Sequence, residues 1–379
     1  MLDFLTLKPE AFGLDISDLS LKIIKLKRKG KFLGVASFGE NEIKPGIIKE
    51  GEIKDEEKLA EIIKEAIKKV KGERIKTKYV VASLPEEKAF LEVIQMPRMS
   101  EEDLKSAVIY EAENYIPLPI EEVYLDSWIV PPVYDHLDHF DVLIAALPKK
   151  TVDPYLSSLK KAGLQPLALE IESLAIARAL IKNEVTTLPI LLIDLGATRT
   201  SFVVFSGHSL RFTSSIPVSS ESFNKIISKN LGVSLAEAER LKIKYGLGEK
   251  IQLKVKEDKT EIKKEKGRIF EALIPALVDL AQQIKRHLDY YQTHASHEHL
   301  PPNGRGVAKI LLCGGGANLK GLTELLSLET LELKIPVELG NPWVNILPEG
   351  QKGISELSFE ESLRYTTALG LALRGIKHD

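Results

Sequence analysis

Apolar residues recur along this chain with a period of two in some segments and near 3.6 in others, which lays out a mixed α/β protein. Phe12-Gly-Leu-Asp-Ile16 and Ser20-Leu-Lys-Ile-Ile-Lys-Leu26 read as two strands joined by a short turn, and 31–38 as a third. Residues 55–71 form an amphipathic helix, with Leu59, Ile62, Ile63, Ala66, Ile67 and Val70 on one face and a solvated Lys/Glu face opposite. A strand at 78–84 ends at Pro85. A separate block follows: a strand at 89–95, a helix from Ser100 to about Tyr115, and strands at 123–130 and 140–148 around a Pro/His/Asp loop, 131–139. Ser100 is the expected N-cap, with Asp103 in a capping-box position. Helix 151–162, strand 165–170 and helix 173–182 complete the first half.

The second half opens near Leu188 on the apolar run Ile190-Leu-Leu-Ile-Asp194, a turn, and a strand ending near Ser206. Helices are expected at 221–230 and 235–245. Residues 246–266 are charged and mixed in sign, and read as an exposed hairpin or loop rather than a nucleic-acid patch. A long helix at 268–293 presents Phe270, Leu273, Ile274, Leu277, Leu280, Ile284, Leu288 and Tyr291, with a kink or late start expected at Pro275. A strand at 307–313 runs into Gly314-Gly-Gly316 and a helix start with Asn318 as N-cap. The last helix is expected at 358–375, where Ala368, Gly370 and Ala372 allow close packing.

Composition narrows the classes. The 379 residues are 44% hydrophobic and 28% charged, which suits a globular protein of two domains or lobes. A net charge of −2 gives no global electrostatic case for nucleic acid. Cys313 is the sole cysteine, so no internal disulfide forms. No apolar run is long enough to span a bilayer, and the first residues do not read as a signal peptide.

The chemistry lies in a repetition. Strand, Asp, a turn of small and hydroxyl residues, and strand occur around Asp15 and again around Asp194. Asp is common in turns, so either hairpin alone is unremarkable; the pair points to a two-lobed protein with one hairpin from each lobe facing a common cleft. Gly196, Ala197, Thr198 and Thr200 make a turn whose backbone amides can approach an anion, and Ser17, Ser20 and Lys22 add hydroxyls and a positive charge. Asp15 and Asp194 suit a hydrated Mg2+, which uses few protein carboxylates. Gly314, Gly315 and Gly316 let backbone approach a flat or charged ligand, but neither G-x-G-x-x-G nor a P-loop occurs. His287, His294, His297 and His299 lie close together but lack Cys partners, so a zinc site is disfavoured. No hydrolase triad is legible.

In this order the motifs resemble the actin/FtsA superfamily of ATP-binding proteins, and within it the PilM family of type IV pilus assembly proteins. The Asp15 hairpin resembles the first phosphate motif, Asp194–Thr200 the second, and Gly314–Ala317 the adenosine motif. The resemblance implies ribose and adenine contacts for Glu239 and Lys242, and connecting helices at 170–179 and 368–372. Met96-Pro-Arg-Met-Ser-Glu-Glu-Asp-Leu104 and Tyr110-Glu-Ala-Glu-Asn-Tyr-Ile-Pro-Leu-Pro119 are similar to the inserted SHS2-like subdomain 1C of that family. The implied fold is actin-like and two-lobed, with duplicated ribonuclease-H-like subdomains: 1A at 1–84 and 151–186, 1C at 85–150, 2A at 187–230 and 304–379, and 2B at 231–303. FtsA and the secretion protein GspL continue into membrane segments that no run here matches.

The implied function is an ATP- and Mg2+-binding cytoplasmic scaffold, held at the inner membrane through a partner. The expected partner is a PilN-like inner-membrane protein, whose N-terminal peptide would lie between 1A and 1C. Two positions depart from the family pattern: Ser17 where Gly is usual, and Ser201 where active ATPases carry Asp or Glu, with Arg199 nearby. Slow hydrolysis is therefore expected, with Glu172, or equally by sequence Glu170, orienting water. A filament-forming or FtsA-like cell-division ATPase would instead sediment with ATP. A sugar kinase of the same superfold would need an acidic general base, and none is convincing.

Overall fold

Two sheets of one strand order organise the residues that the computed structural model describes, namely 9–30, 32–133, 138–248, 261–295, 300, 306–329 and 334–376, with backbone alone for 261–267. In the first, Phe12–Ile16 pairs antiparallel with Ser20–Lys29, which pairs with Phe32–Glu42. On its other side Phe12–Ile16 runs parallel to Tyr79–Leu84, and that strand parallel to Gln165–Ile171. In the second, Thr186–Leu195 lies between Thr200–Gly207, antiparallel, and Lys309–Cys313, parallel; Ser209–Ile216 and Val337–Leu339 form the edges. Setting aside the two-residue edge strand Lys71–Gly72, both sheets run third, second, first, fourth, fifth. The duplication seen in two short motifs thus extends to whole sheets. Hairpins need only short turns, whereas each parallel step needs a long crossover, which is where the helices fall.

The chain divides into two compact units. One comprises the chain up to Val185, His208–Leu210 and everything from Asn341 on; the other comprises Thr186–Gly207 and Arg211–Gly340. The carboxy-terminal segment, grouped by sequence with the second half, therefore folds with the first. The reason is packing. Trp343, Ile346, Tyr365, Leu369 and Leu373 share a core with Ile24, Leu26 and Phe38.

Within the first unit, helix Glu56–Lys69 buries Leu59, Ala60, Ile63 and Ala66 and is capped by Asp55, which accepts from the Lys58 amide. The inserted block is strand Phe90–Pro97, helix Glu101–Ala112, and strands Val123–Val130 and His139–Pro148. Its sheet places His139–Pro148 in the middle, and Leu104, Val108 and Ala112 of the helix pack on Ile94, Val142 and Ile144. The final helix does not run unbroken from 358. Phe359–Ser362 is followed by a 3-10 turn, Leu363–Tyr365, and then by Thr366–Ile376. Ser362 and Thr366 donate their hydroxyls back to Phe359 O (2.6 Å) and Leu363 O (2.8 Å), a pattern that bends helices.

In the second unit, helices Ser220–Leu231 and Leu235–Tyr245 precede Glu261–His294. The charged stretch read as a loop is thus helical in its last part, consistent with the helix preference of Glu and Lys; its residues 249–260 lie outside the described ones. Pro275 does not end the long helix. The buried face runs through Ile269, Leu273, Leu277, Leu280, Ile284, Leu288 and Tyr291, while Ile274 is exposed. Asn318 does not cap the next helix, because Gly315–Asn318 is a 3-10 turn and the helix begins at Leu322.

Candidate functional site

In the first unit, Asp15, Ser83 and Glu172 all fall at the carboxyl ends of the parallel strands, the edge where ligands of open α/β sheets are usually held. Asp15 lies opposite Lys22 in the hairpin register and is 5% exposed. Its Oδ2 is 3.6 Å from Lys22 Nζ, and its Oδ1 accepts from the Ser83 hydroxyl at 3.3 Å. Ser83 Oγ in turn accepts from the Ile16 amide (2.7 Å), so backbone, hydroxyl and carboxylate form one directed chain. Burial pushes the Asp15 carboxyl up, opposed by Lys22 and Ser83. The turn is closed by Ser17, whose amide and hydroxyl both donate to Ser20 O, while Lys22 Nζ donates to Ser20 Oγ at 2.8 Å. Ser17, Ser20 and Lys22 are thus one cluster with Asp15. Asp18 faces elsewhere and accepts from the amides of Glu50 and Gly51.

Glu170 and Glu172, inseparable by sequence, have different surroundings. Glu170 is fully buried and clasped by Arg178 through both oxygens (2.6 and 2.7 Å) and by Arg374 at 2.9 Å. Glu172 is half-buried and accepts from the amide of Glu86 at 3.4 Å, while Glu86 accepts from the Ser173 amide at 3.3 Å.

In the second unit, Asp194 sits at the end of its strand opposite Ser201, with Cys313 as its parallel neighbour. The Cys313 thiol donates to Asp194 Oδ1 at 3.8 Å. Gly314 follows at a φ of 82°, and a methyl group there would stand 2.2 Å from Asp194 Oδ1 and 2.6 Å from Leu195 O. Only glycine meets both requirements. The Gly196–Arg199 turn is closed by the Gly196 amide donating to Arg199 O at 2.9 Å. Its carbonyls are gripped by the start of the next helix: the Ser220 amide donates to Gly196 O (3.1 Å) and the Glu221 amide to Ala197 O (3.0 Å). Thr200 Oγ1 donates to Val218 O, fastening the strand that leaves the turn. Lys242 is buried and donates to Ser220 O (3.0 Å) and Ser220 Oγ (2.6 Å); burial draws it down to about 8, against the opposing charge of Glu239. Glu239 itself is exposed.

The structure therefore gathers Asp194, Gly196, Ala197, Thr198, Gly314, Gly315 and Gly316 at the ends of neighbouring strands. Three participants went unread in the sequence: Ser83, Ser220 and Glu86. The one available signal was a serine at the end of the apolar run Tyr79-Val-Val-Ala-Ser-Leu84. Among the described residues, no group of three or more His, Cys, Asp or Glu is placed to hold a metal. His287 bonds Ser214 and stacks on Phe202, and His294 stacks on Tyr290; His297 and His299 lie outside the described residues.

Two duplicated sheets of this order, each presenting an Asp hairpin, define an actin-like α/β protein. The likeness to MreB5 of Spiroplasma citri bound to AMPPNP, 13% identical with a TM-score of 0.53 over 97% of this chain and 96% of that one, shows that fold. The chain belongs to the type IV pilus assembly protein PilM family, whose model matches residues 13–376. It is also similar to a chain of a solved PilM-PilN type IV pilus biogenesis complex, 28% identical, TM-score 0.76, covering 98% of this chain and all of that one. Among curated proteins it is 25% identical to the cell division protein FtsA of Pseudomonas aeruginosa over 58% of this chain and 50% of that protein. The chain thus spans about half the length of that relative.

Proposed function

We propose that this chain is an ATP-binding scaffold of type IV pilus assembly that docks the N-terminal peptide of a PilN-like inner-membrane protein. The observation that carries the nucleotide half is the Gly196–Arg199 turn, held by a helix start beside Asp194 and the Gly314 backbone. Backbone that approaches this closely, in a turn of small residues, favours phosphate oxygens. Asp15, Ser17, Ser20 and Lys22 are the proposed phosphate contacts of the first unit, and Glu239 and Gly314 to Gly316 those on the nucleoside side; Lys242, which the resemblance also put there, has two of its donors on Ser220. Asn318, half-buried in the 3-10 turn, belongs to the same side.

Asp15 and Asp194 are both proposed to hold Mg2+ through its waters. Asp194 is half-buried at a strand end, in a cradle that a side chain at residue 314 would fill. The Asp15 carboxylate is already held by Lys22 and Ser83. When bound, the ion would neutralise phosphate charge while keeping most of its waters. Ser201 opposite Asp194 supplies no carboxylate, so hydrolysis is proposed to be slow. Glu172 is the proposed water-orienting residue, since both Glu170 oxygens are committed to arginines.

For the partner, the support is the solved relative in complex with PilN and the apolar surface of the inserted block. Ile109, Tyr110 and Tyr115 are exposed there, on the helix and the turn that follows it. No helix among the described residues is long and apolar enough to cross a membrane. Membrane association is proposed to be peripheral, from the cytoplasmic side and through the partner.

Calorimetric titration with Mg-ATP tests the nucleotide reading. The wild type binds and Asp194→Ala does not; a silent wild type would leave a peptide scaffold without a nucleotide. Titration with a synthetic PilN N-terminal peptide tests the partner. Binding weakened about tenfold by Tyr110→Ala is expected if that ring anchors the peptide. Equal peptide affinity with and without Mg-ATP would exclude coupling between the two.

A further inference from the structure

We propose that Lys242 is a positioning residue for the Gly196–Arg199 turn, acting through Ser220. The inference rests on the reading of that turn as a phosphate site, and departs from the ribose or adenine contact that the family resemblance gave this lysine. The Lys242 side chain lies buried on helix Leu235–Tyr245, and two of its three donors reach Ser220 O and Ser220 Oγ. A buried ammonium is costly unless its protons are bonded, so this pairing is a structural commitment.

Ser220 is the first residue of helix Ser220–Leu231, and its own amide holds Gly196 O. The next amide, Glu221, holds Ala197 O. The ammonium thus fixes the residue that fixes the turn. Ser219, buried and bonded reciprocally with Ser222, anchors the same helix start from the other side. Glu239, one turn earlier on the lysine's helix, is exposed and makes no competing hydrogen bond to the ammonium among those described. The consequence is selective. Loss of the brace loosens contacts to phosphates and leaves contacts to the nucleoside unchanged.

A double-mutant cycle with Lys242→Met and Ser220→Ala tests this, read by calorimetry with Mg-ATP and by competition with adenosine. Lys242→Met removes both bonds and is expected to weaken Mg-ATP about tenfold, as for a hydrogen bond to a charged group, whereas Ser220→Ala removes only the Oγ bond and weakens it less. The double variant is expected to be no weaker than Lys242→Met alone, because the bond that Ser220→Ala removes is already lost with the ammonium. Adenosine affinity stays at the wild-type value. Additive losses, an adenosine affinity that falls in step with ATP, or an unchanged ATP affinity would each overturn the inference. Ser220→Ala keeps the lysine buried and reports on the brace even if Lys242→Met folds poorly. A wild type that binds no Mg-ATP overturns the nucleotide reading instead, and the two failures are distinct.

Discussion

Replacing Gly370 with alanine destabilises the first unit by about 3 kcal/mol, although alanine is the better helix former. Gly370 lies within helix Thr366–Ile376, which crosses helix Glu172–Leu180 at Ala175. A methyl group at this position would sit 1.8 Å from the Ala175 carbonyl oxygen and 2.5 Å from its carbon. Backbone cannot rotate out of the way as a side chain can. The two helices must separate, and Arg178 then loses its bond to Gly370 O (3.4 Å). Intrinsic propensity alone predicts a gain of about 1 kcal/mol, so the two arguments differ in sign. Urea unfolding followed by circular dichroism decides between them. A midpoint at or above that of the wild type would mean that the helices do not meet at this contact.

Removing Arg178 costs at least as much. Arg178→Ala is expected to lower stability by about 3 to 5 kcal/mol, because it leaves a buried carboxylate with half its partners. Glu170 is then held by Arg374 alone, whose side chain is far more exposed than Arg178. The ion pair of Arg178 with Glu184, at 3.4 Å, is lost as well. The informative control is Glu170→Leu combined with Arg178→Met. An apolar pair of similar volume removes the buried charges together and should recover most of the loss, with Arg374 turning to solvent. A double variant as unstable as Arg178→Ala would show that the cluster's hydrogen bonds, not the charge imbalance, hold these helices.

What could be read from the sequence was local. Asp15 and Asp194 announce themselves because an acid interrupts an apolar strand just before small residues, and Gly314 to Gly316 because three glycines follow a buried strand. The inserted block was legible because its strand and helix periods change cleanly at prolines. Partners distant in sequence were not legible. Nothing near Glu170 marks it as the ligand of Arg374, and nothing around Lys242 points to Ser220. Periodicity could not reveal that Ile269 rather than Ile274 faces inward, because both fit a broad stripe and only packing selects the helix rotation. The break at Leu363–Tyr365 escaped notice because it comes from hydroxyls bonding back to carbonyls within an otherwise sound helical pattern.

The buried thiol beside Asp194 gives the molecule a built-in clock. Cys313 is the sole sulfhydryl in the chain, it is buried, and its sulfur lies beside the Asp194 carboxylate. A thiol reagent can reach this buried sulfur only when the structure around it opens, so the rate of labelling reports that opening. No engineered probe is needed. Anything that steadies this part of the fold, whether a ligand or a distant partner, is timed by the same atom.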